Sequence, residues 1–206
     1  MNQDWYMRPM AGIGDLEFNS PVQTPETWAD RYGRIESTGP IGISDAVAEE
    51  TFRLPGMDFS EEEIAEMMAA IQVEQEMLSD QFTQIYDSGL HLTYSADHLT
   101  EILTDTRAFQ IHVDGALLFR ADPIPALRKL QELNAEAPFI NGPDCYFRNI
   151  HVTAFEFVVV TAGGRVRPTA IDTDEALQKT ISWRATPRSS LEDLKSYQQF
   201  DLTHAS

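Results

Sequence analysis

The spacing of hydrophobic residues predicts one long amphipathic helix in the first half of the chain. Ser60 and Glu63 form a capping-box pattern, in which each side chain bonds the backbone N–H of the other residue at a helix start. Apolar residues then recur at the spacing of a single helical face: Ile64, Met67, Met68, Ile71, Leu78, Phe82 and Ile85. We therefore predict an acidic helix of roughly six or seven turns.

Alternation of apolar and polar residues predicts strands after this helix. Residues 90–94 and 109–113 alternate in this way, and Asp114-Gly115 is the signal of a type I′ hairpin turn that returns the chain through residues 116–119. The most β-rich stretch, residues 150–161, is followed by a second hairpin turn at Gly163-Gly164.

Two shorter helices are predicted from their start signals. Thr24 and Pro25 fit the N-cap and first position of a helix that ends near Tyr32-Gly33. The pair of prolines at Pro123 and Pro125 precedes a second helix, which ends at Asn134.

Together these elements predict an α+β fold, with an antiparallel β-sheet, helices packed mainly on one face, and one long acidic amphipathic helix. Residues 1–57 are rich in Gly and Pro and form a loop-rich segment with a short strand and helix, packed on the main domain. The main α+β domain covers residues 58–188, and residues 189–206 are a polar tail. We see no long tandem repeat in the sequence.

The charge of the chain restricts its possible partners more than its overall composition does. The chain has 33 acidic and 15 basic residues, for a formal net charge of −18. Residues 1–106 hold 21 of the acids and 4 of the bases, and residues 54–106 contain no Lys or Arg at all. This charge argues against nucleic acid and anionic membrane as ligands, since both would be repelled. It fits a solvated surface, or a field directed at a basic partner.

Other classes are excluded by what the sequence lacks. A single cysteine, Cys145, rules out an intrachain disulfide framework and a cysteine-based zinc site. The apolar stretches are too short to span a membrane, and the first residues do not resemble a signal peptide. We therefore expect a soluble protein of the reducing cytoplasm.

Only one pair of residues suggests chemistry. His112 and Asp114 would lie on the same side of a strand, as a metal pair or as a general base with its orienting carboxylate would. No third ligand has a recognisable spacing, and a structural histidine is the alternative. Since no catalytic motif occurs, we expect no catalytic residues, no metal and no cofactor.

Two stretches of the sequence together form a pattern of glycine, aliphatic and aromatic residues that a group of small bacterial proteins shares. The first is Gly12-Ile13-Gly14-Asp15-Leu16-Glu17-Phe18, before a helix that ends in Tyr32-Gly33. The second comprises Tyr86 to Tyr94 and then Gly115-Ala116-Leu117-Leu118-Phe119. This set resembles the toxin-immunity proteins, although Asn19-Ser20 and the inserted acidic helix depart from their pattern. The resemblance implies an inhibitor of a cognate toxin, with no catalytic residues of its own.

We therefore expect an immunity or inhibitor protein that occludes a toxin or effector with a basic surface. The candidate partner-binding residues are acids on or near the long helix: Glu61, Glu62, Glu66, Glu74, Glu76 and Asp80. An acidic secretion chaperone or adaptor is the first alternative, favoured if Met67, Met68 and Met77 are exposed and the protein is a homodimer. An enzyme of unfamiliar type, using His112 and Asp114, is the second.

Overall fold

A nine-stranded antiparallel sheet dominates the protein, and three smaller groups of strands surround it. The computed structural model describes residues 2–40, 51–53, 59–78, 80–120, 122–169, 179–187 and 191–205. The strands of the large sheet are β4 (Ile35–Pro40), β5 (Gln81–Tyr86), β6 (Leu90–Ser95), β7 (His98–Asp105), β10 (Phe139–Asn141), β11 (Asp144–Phe147), β12 (Val152–Phe155), β15 (Thr180–Arg184) and β16 (Gln198–Gln199). Their order is β16-β10-β11-β12-β15-β7-β6-β5-β4.

The smaller groups are a three-stranded sheet and two hairpins. Their strands are β1 (Met7–Arg8), β2 (Gly12–Ile13), β3 (Leu16–Glu17), β8 (His112–Val113), β9 (Ala116–Leu117), β13 (Val158–Val160) and β14 (Val166–Pro168). The α-helices are α1 (Pro25–Tyr32), α2 (Glu61–Met77) and α3 (Ile124–Asn134), with 3₁₀ helices at Gln3–Trp5, Arg148–Ile150, Leu191–Ser196 and Leu202–His204.

The predicted α+β class with one long helix is wrong, because the protein is mostly β. The error lies after Met77, where α2 ends and Leu78, Phe82 and Ile85 do not continue it. Residues 81–86 alternate between the two faces of a strand, and Phe82, Gln84 and Tyr86 share the face of the core. Apolar residues three or four apart fitted a helix as well as a strand over this stretch, and pairing with β4 and β6 selects the strand.

Several local predictions are confirmed. Helix α1 begins at Pro25 after an extended Thr24 and ends at Tyr32, with Gly33 as its C-cap, although the Thr24 side chain makes no capping bond. Asp114 and Gly115 both have positive φ, as a type I′ turn requires, between the paired strands β8 and β9. The Gly163-Gly164 turn joins β13 and β14.

The large sheet consists of two similar halves. From the outside inwards, the first half runs β4-β5-β6-β7 and the second runs β10-β11-β12-β15, with β16 added outside β10. Strands β7 and β15 pair at the centre. Each half is preceded by a small hairpin and a helix, β2–β3 with α1 and β8–β9 with α3. The protein therefore contains an internal repeat, which the sequence did not reveal.

The strand register shows that the halves are related by a two-fold axis. Pairs in β6–β7 correspond to pairs in β12–β15: Leu90↔Thr104 to Val152↔Trp183, and Leu92↔Ile102 to Ala154↔Ile181. At the centre, Ile102 pairs with Trp183 and Thr104 pairs with Ile181, so exchanging the halves leaves the pairing unchanged. The axis passes through the pair Leu103↔Ser182.

The same contact ties the helix to the sheet in each half. In the first half, the Ser88 hydroxyl donates to the carbonyl of Tyr32, the last residue of α1. In the second half, the Asn149 amide donates at 2.8 Å to the carbonyl of Asn134, the last residue of α3. Different side chains in equivalent turns thus satisfy the free carbonyl at a helix end.

One core joins the halves on a single face of the sheet. Tyr32 of α1 and Leu127 of α3 belong to the same buried cluster as Leu92, Phe147 and Trp183 of the sheet. Residues 2–18 also contribute to this core, through Trp5, Met7, Ile13, Leu16 and Phe18. The small hairpins and the helices therefore cover the face on which the two halves meet.

Trp183 fixes the N-terminal hairpin to the centre of the sheet, because its buried indole N–H donates at 3.0 Å to the carbonyl of Gly12. We expect Trp183→Phe to lower the free energy of unfolding by about 1–3 kcal/mol, since the buried carbonyl loses its donor. Urea unfolding followed by circular dichroism measures this change.

Trp28→Phe is the control, because the Trp28 indole N–H has no hydrogen-bond partner in the described part of the chain. We expect a smaller loss of stability for this variant than for Trp183→Phe. Equal losses would show that the hydrogen bond to Gly12 contributes nothing beyond the packing of the ring.

Candidate protein-binding surface

The predicted capping box at the start of α2 is confirmed. The Ser60 backbone N–H donates to the Glu63 carboxylate at 2.8 Å, and the Glu63 backbone N–H donates to the Ser60 hydroxyl at 3.3 Å. The Ser60 backbone N–H and the Ser60 hydroxyl both donate to the Glu63 carboxylate, and these two bonds lower the pKa of Glu63. Because the box satisfies two free N–H groups, α2 has a well-defined first turn, which orients the acids that follow.

One face of α2 is turned towards the protein. Ile64 is buried, and Met67, Met68 and Ile71 are half-buried at the positions that the hydrophobic spacing predicts. Since Met67 and Met68 are covered in part, the exposed methionine surface that would favour a chaperone is not present at these two residues.

The opposite face of α2 is exposed and carries both acids and apolar residues. Glu62, Glu66, Ala69, Val73 and Glu76 follow one another at steps of four and three, which places them on one side of the helix. All five are exposed, and Val73 is exposed to 59%. We name these five residues the acidic face.

The candidate acids differ in how far they are already engaged. Glu61 forms a two-point ion pair with Arg53, at 2.8 and 2.9 Å, which lowers its pKa. Asp80 lies beyond the end of α2, where its carboxylate accepts from the Ser95 hydroxyl at 2.9 Å. The Glu74 side chain lies outside the described part of the structure, and Glu76 is exposed but has a polar contact.

Glu62 and Glu66 remain without an ion pair among the described residues. Two bases elsewhere in the first half of the chain are paired with other acids: Arg8 with Glu17, and Arg31 with Asp15. Arg107, from the second half, pairs with Asp105 and Glu36. The negative charge on the acidic face is therefore not neutralised within the described structure.

His112 and Asp114 bond to different groups, and no hydrogen bond joins them in the described structure. The His112 ring is buried, stacks on Tyr6 and lies 3.2 Å from the carbonyl of Asn2 through Nε2. Asp114 instead accepts a hydrogen bond from the Tyr6 hydroxyl at 3.1 Å. Both residues hold the N-terminal segment against the β8–β9 hairpin, which is a structural role.

The single cysteine and the metal-binding residue types offer no further chemical site in the described part of the chain. Cys145 is fully buried, and burial followed by the neighbouring Asp144 raises the pKa of its thiol, so the thiolate form is disfavoured. Within the described ranges, no three His, Cys, Asp or Glu side chains are grouped as a metal site would require.

A charged cluster on the sheet surface was missed by the sequence interpretation. His91 of β6 lies 3.4 Å from Asp105 of β7, and Asp105 accepts several hydrogen bonds from Arg107. Burial lowers the pKa of His91 despite its acidic neighbour. Burial opposes ionisation of Asp105, but the bonds from Arg107 and His91 outweigh it and lower its pKa. Only the pairing of β6 with β7 brings these residues together.

A shallow pocket beside the β8–β9 hairpin was missed as well. It has a volume of about 350 Å³ and is lined by Asn2, Phe109, Gln110, Leu117, Phe119 and Arg120. The sequence places Phe109 at the start of a strand, but the strand begins only at His112 and Phe109 is exposed to 64%. The one sequence signal for this pocket was Phe109 itself, a large apolar residue in a short polar stretch between two turns.

Comparison of the chain with protein-family models, with curated proteins and with solved structures found no match. Among the helices in the described part of the chain, none has the length and apolar character needed to cross a membrane.

We expect the protein to lose stability as the pH falls below the ordinary pKa of histidine, about 6.5. The pKa of His91 is lowered in the folded state, so the unfolded chain binds its proton first. Stability therefore decreases from about pH 6.5 down to the lowered pKa of His91. Urea unfolding at a series of pH values measures this dependence.

His91→Gln should flatten the dependence over this range, whereas His98→Gln, at an exposed position, should leave it as in the wild type. If His91→Gln leaves the slope unchanged, another group is responsible for it.

Proposed function

We propose that this protein is an inhibitor of the immunity type, which binds a basic protein partner through the acidic face of α2. The observation that carries the proposal is the position of Glu62 and Glu66, exposed and without ion pairs in the described structure, on the same side of the helix as the exposed Val73. An apolar centre with charged residues around it is the usual composition of a protein-binding patch.

Charge sets the chemistry of the partner. A surface of one sign raises the rate of encounter with oppositely charged proteins and disfavours partners of like charge. The net charge of −18, concentrated in the first half of the chain, thus selects a partner rich in Lys and Arg. Many toxins that act on nucleic acid hold the phosphate groups of their substrate with such residues, and a bound inhibitor would block them.

The two kinds of residue on the acidic face would contribute in different ways. Val73, together with Ala69, provides apolar area that loses water on binding, and this area stabilises the complex. Glu62 and Glu66 would mainly increase the association rate, because charges at the rim of an interface remain partly solvated. Since salt screens such charges, the association should slow as ionic strength rises.

The proposal is tested by co-expression. Each reading frame that flanks the gene for this protein is expressed alone and together with it, and growth is scored. We expect one frame to arrest growth and the arrest to be relieved by this protein. The purified pair should then form a one-to-one complex by calorimetry, weaker at high salt than at low salt. If none of the flanking frames is neutralised, the immunity function is overturned.

A pair of matched variants tests the surface. Glu62→Gln with Glu66→Gln removes two charges from the acidic face, and we expect about tenfold weaker binding of the partner. Asp30→Asn with Asp97→Asn removes two charges from other exposed positions and should change binding less than twofold. Asp97 has a φ of 62°, a conformation that asparagine tolerates well. Equal effects of the two pairs would exclude the acidic face as the contact.

A further inference from the structure

The pocket beside the β8–β9 hairpin combines a cavity with exposed aromatic surface, which the acidic face lacks. Phe109 is exposed to 64%, the largest exposure among the large hydrophobic side chains described. The half-buried Leu117 and Phe119 line the same cavity of about 350 Å³. Ligand sites are typically concave and lined mainly by apolar residues, with a small number of polar groups.

The walls of the pocket are held in place by the core. The Phe119 ring packs against the buried Phe157, with the ring centres 5.4 Å apart. The backbone N–H of Leu118 donates to the carbonyl of Ile111 at 3.1 Å and closes the segment from 111 to 118. Asn2 is held through its carbonyl by His112. The cavity is therefore preformed, which lowers the cost of binding.

Arg120 gives the pocket its polarity. It is exposed, lines the cavity and forms no ion pair with any described residue. A guanidinium can bind a carboxylate through two parallel hydrogen bonds. Two further polar residues, Asn2 and Gln110, line the same cavity. In a protein with a net charge of −18, an unpaired cation beside an apolar cavity selects a ligand with both an apolar group and an anionic group.

We propose that this pocket binds the C-terminal residue of a partner chain, with its aromatic side chain against Phe109 and Leu117 and its free α-carboxylate on Arg120. The cavity has a volume of about 350 Å³, and Arg120 lines the same space as Phe109 and Leu117. A C-terminal aromatic residue carries an apolar group and a carboxylate on one residue, so it can reach both kinds of group at once. The site does not depend on the acidic face or on the proposed immunity function.

Three short peptides test the proposal on the full-length protein. The first is acetyl-Gly-Gly-Phe with a free C-terminus, the second is the same peptide with a C-terminal amide, and the third is acetyl-Gly-Phe-Asp with a C-terminal amide. Binding is followed by shifts of backbone amide signals in ¹H–¹⁵N NMR spectra. We expect the free acid to shift the signals of residues 109–120, with a dissociation constant on the order of 0.1–1 mM.

The C-terminal amide should bind about tenfold more weakly than the free acid, since it lacks the charge-assisted bonds to Arg120. The peptide with an internal Asp should bind no better than the amide. Equal affinity of the free acid and the amide would overturn the role of the carboxylate. Equal affinity of the internal Asp peptide would overturn the choice of a chain terminus, and absence of shifts near Phe109 would overturn the site.

Variants assign the contacts. Arg120→Gln should bind the free acid as weakly as the amide, whereas Arg167→Gln, which removes the same charge at another exposed position, should bind as the wild type does. Phe109→Ser should weaken both peptides by a similar factor. All three positions are on the surface, and the NMR spectrum of each variant shows whether it is folded.

Discussion

The pairing of β7 with β15 is the contact on which the rest of the structure depends. It joins His98–Asp105 to Thr180–Arg184, segments far apart in the chain, and it is the only ladder between the two halves of the large sheet in the described structure. Ile102 and Trp183 lie opposite each other at this seam, both fully buried. Through Trp183 the seam also holds Gly12 and with it the N-terminal hairpin. Without this pairing, each half would expose its central strand and part of its core.

Comparison of the two symmetry-related halves shows which segments they share and which segment is present in only one of them. In the first half, α2 lies between β4 and β5, where the second half joins β10 to β11 by a tight turn. In the second half, the β13–β14 ribbon lies between β12 and β15, where the first half has a turn at Ala96 and Asp97. Additions to a repeated scaffold are the places where new contacts can arise without loss of the core. The acidic face lies on one of these additions.

How much the sequence predicts depends on the range of the interactions involved. The turn at Asp114-Gly115 and the capping box at Ser60 are set by neighbouring residues, and both were predicted. The strand at residues 81–86 was assigned to a helix, because its partners β4 and β6 decide its conformation. The cluster of His91 with Asp105 depends on strand pairing in the same way. None of these pairings can be read from local spacing.

The repeat could not be recognised in the sequence, because the two halves share their backbone geometry and not their residue types. Gly89 and His151 both take positive φ just before equivalent strands, although one is a glycine and the other is not. Ser88 and Asn149 make equivalent bonds with different groups. The exposure of Glu62, Glu66 and Glu76 follows from the hydrophobic spacing of one helix, whereas the pocket at Phe109 requires the packing of a loop against a hairpin.

The two edge strands of the large sheet determine how readily another chain can pair with it. The outer edge of β10 is covered by β16. In the equivalent position, the described part of the chain places no strand on β4, but this strand has an irregular register between Ile35 and Ser37, a charged Glu36 at that point, and Pro40 at its end. Each of these hinders the addition of a foreign strand. At the opposite end, the edge strand β16 has only two residues. Both edges of the sheet therefore offer little backbone for pairing with a second copy of the chain.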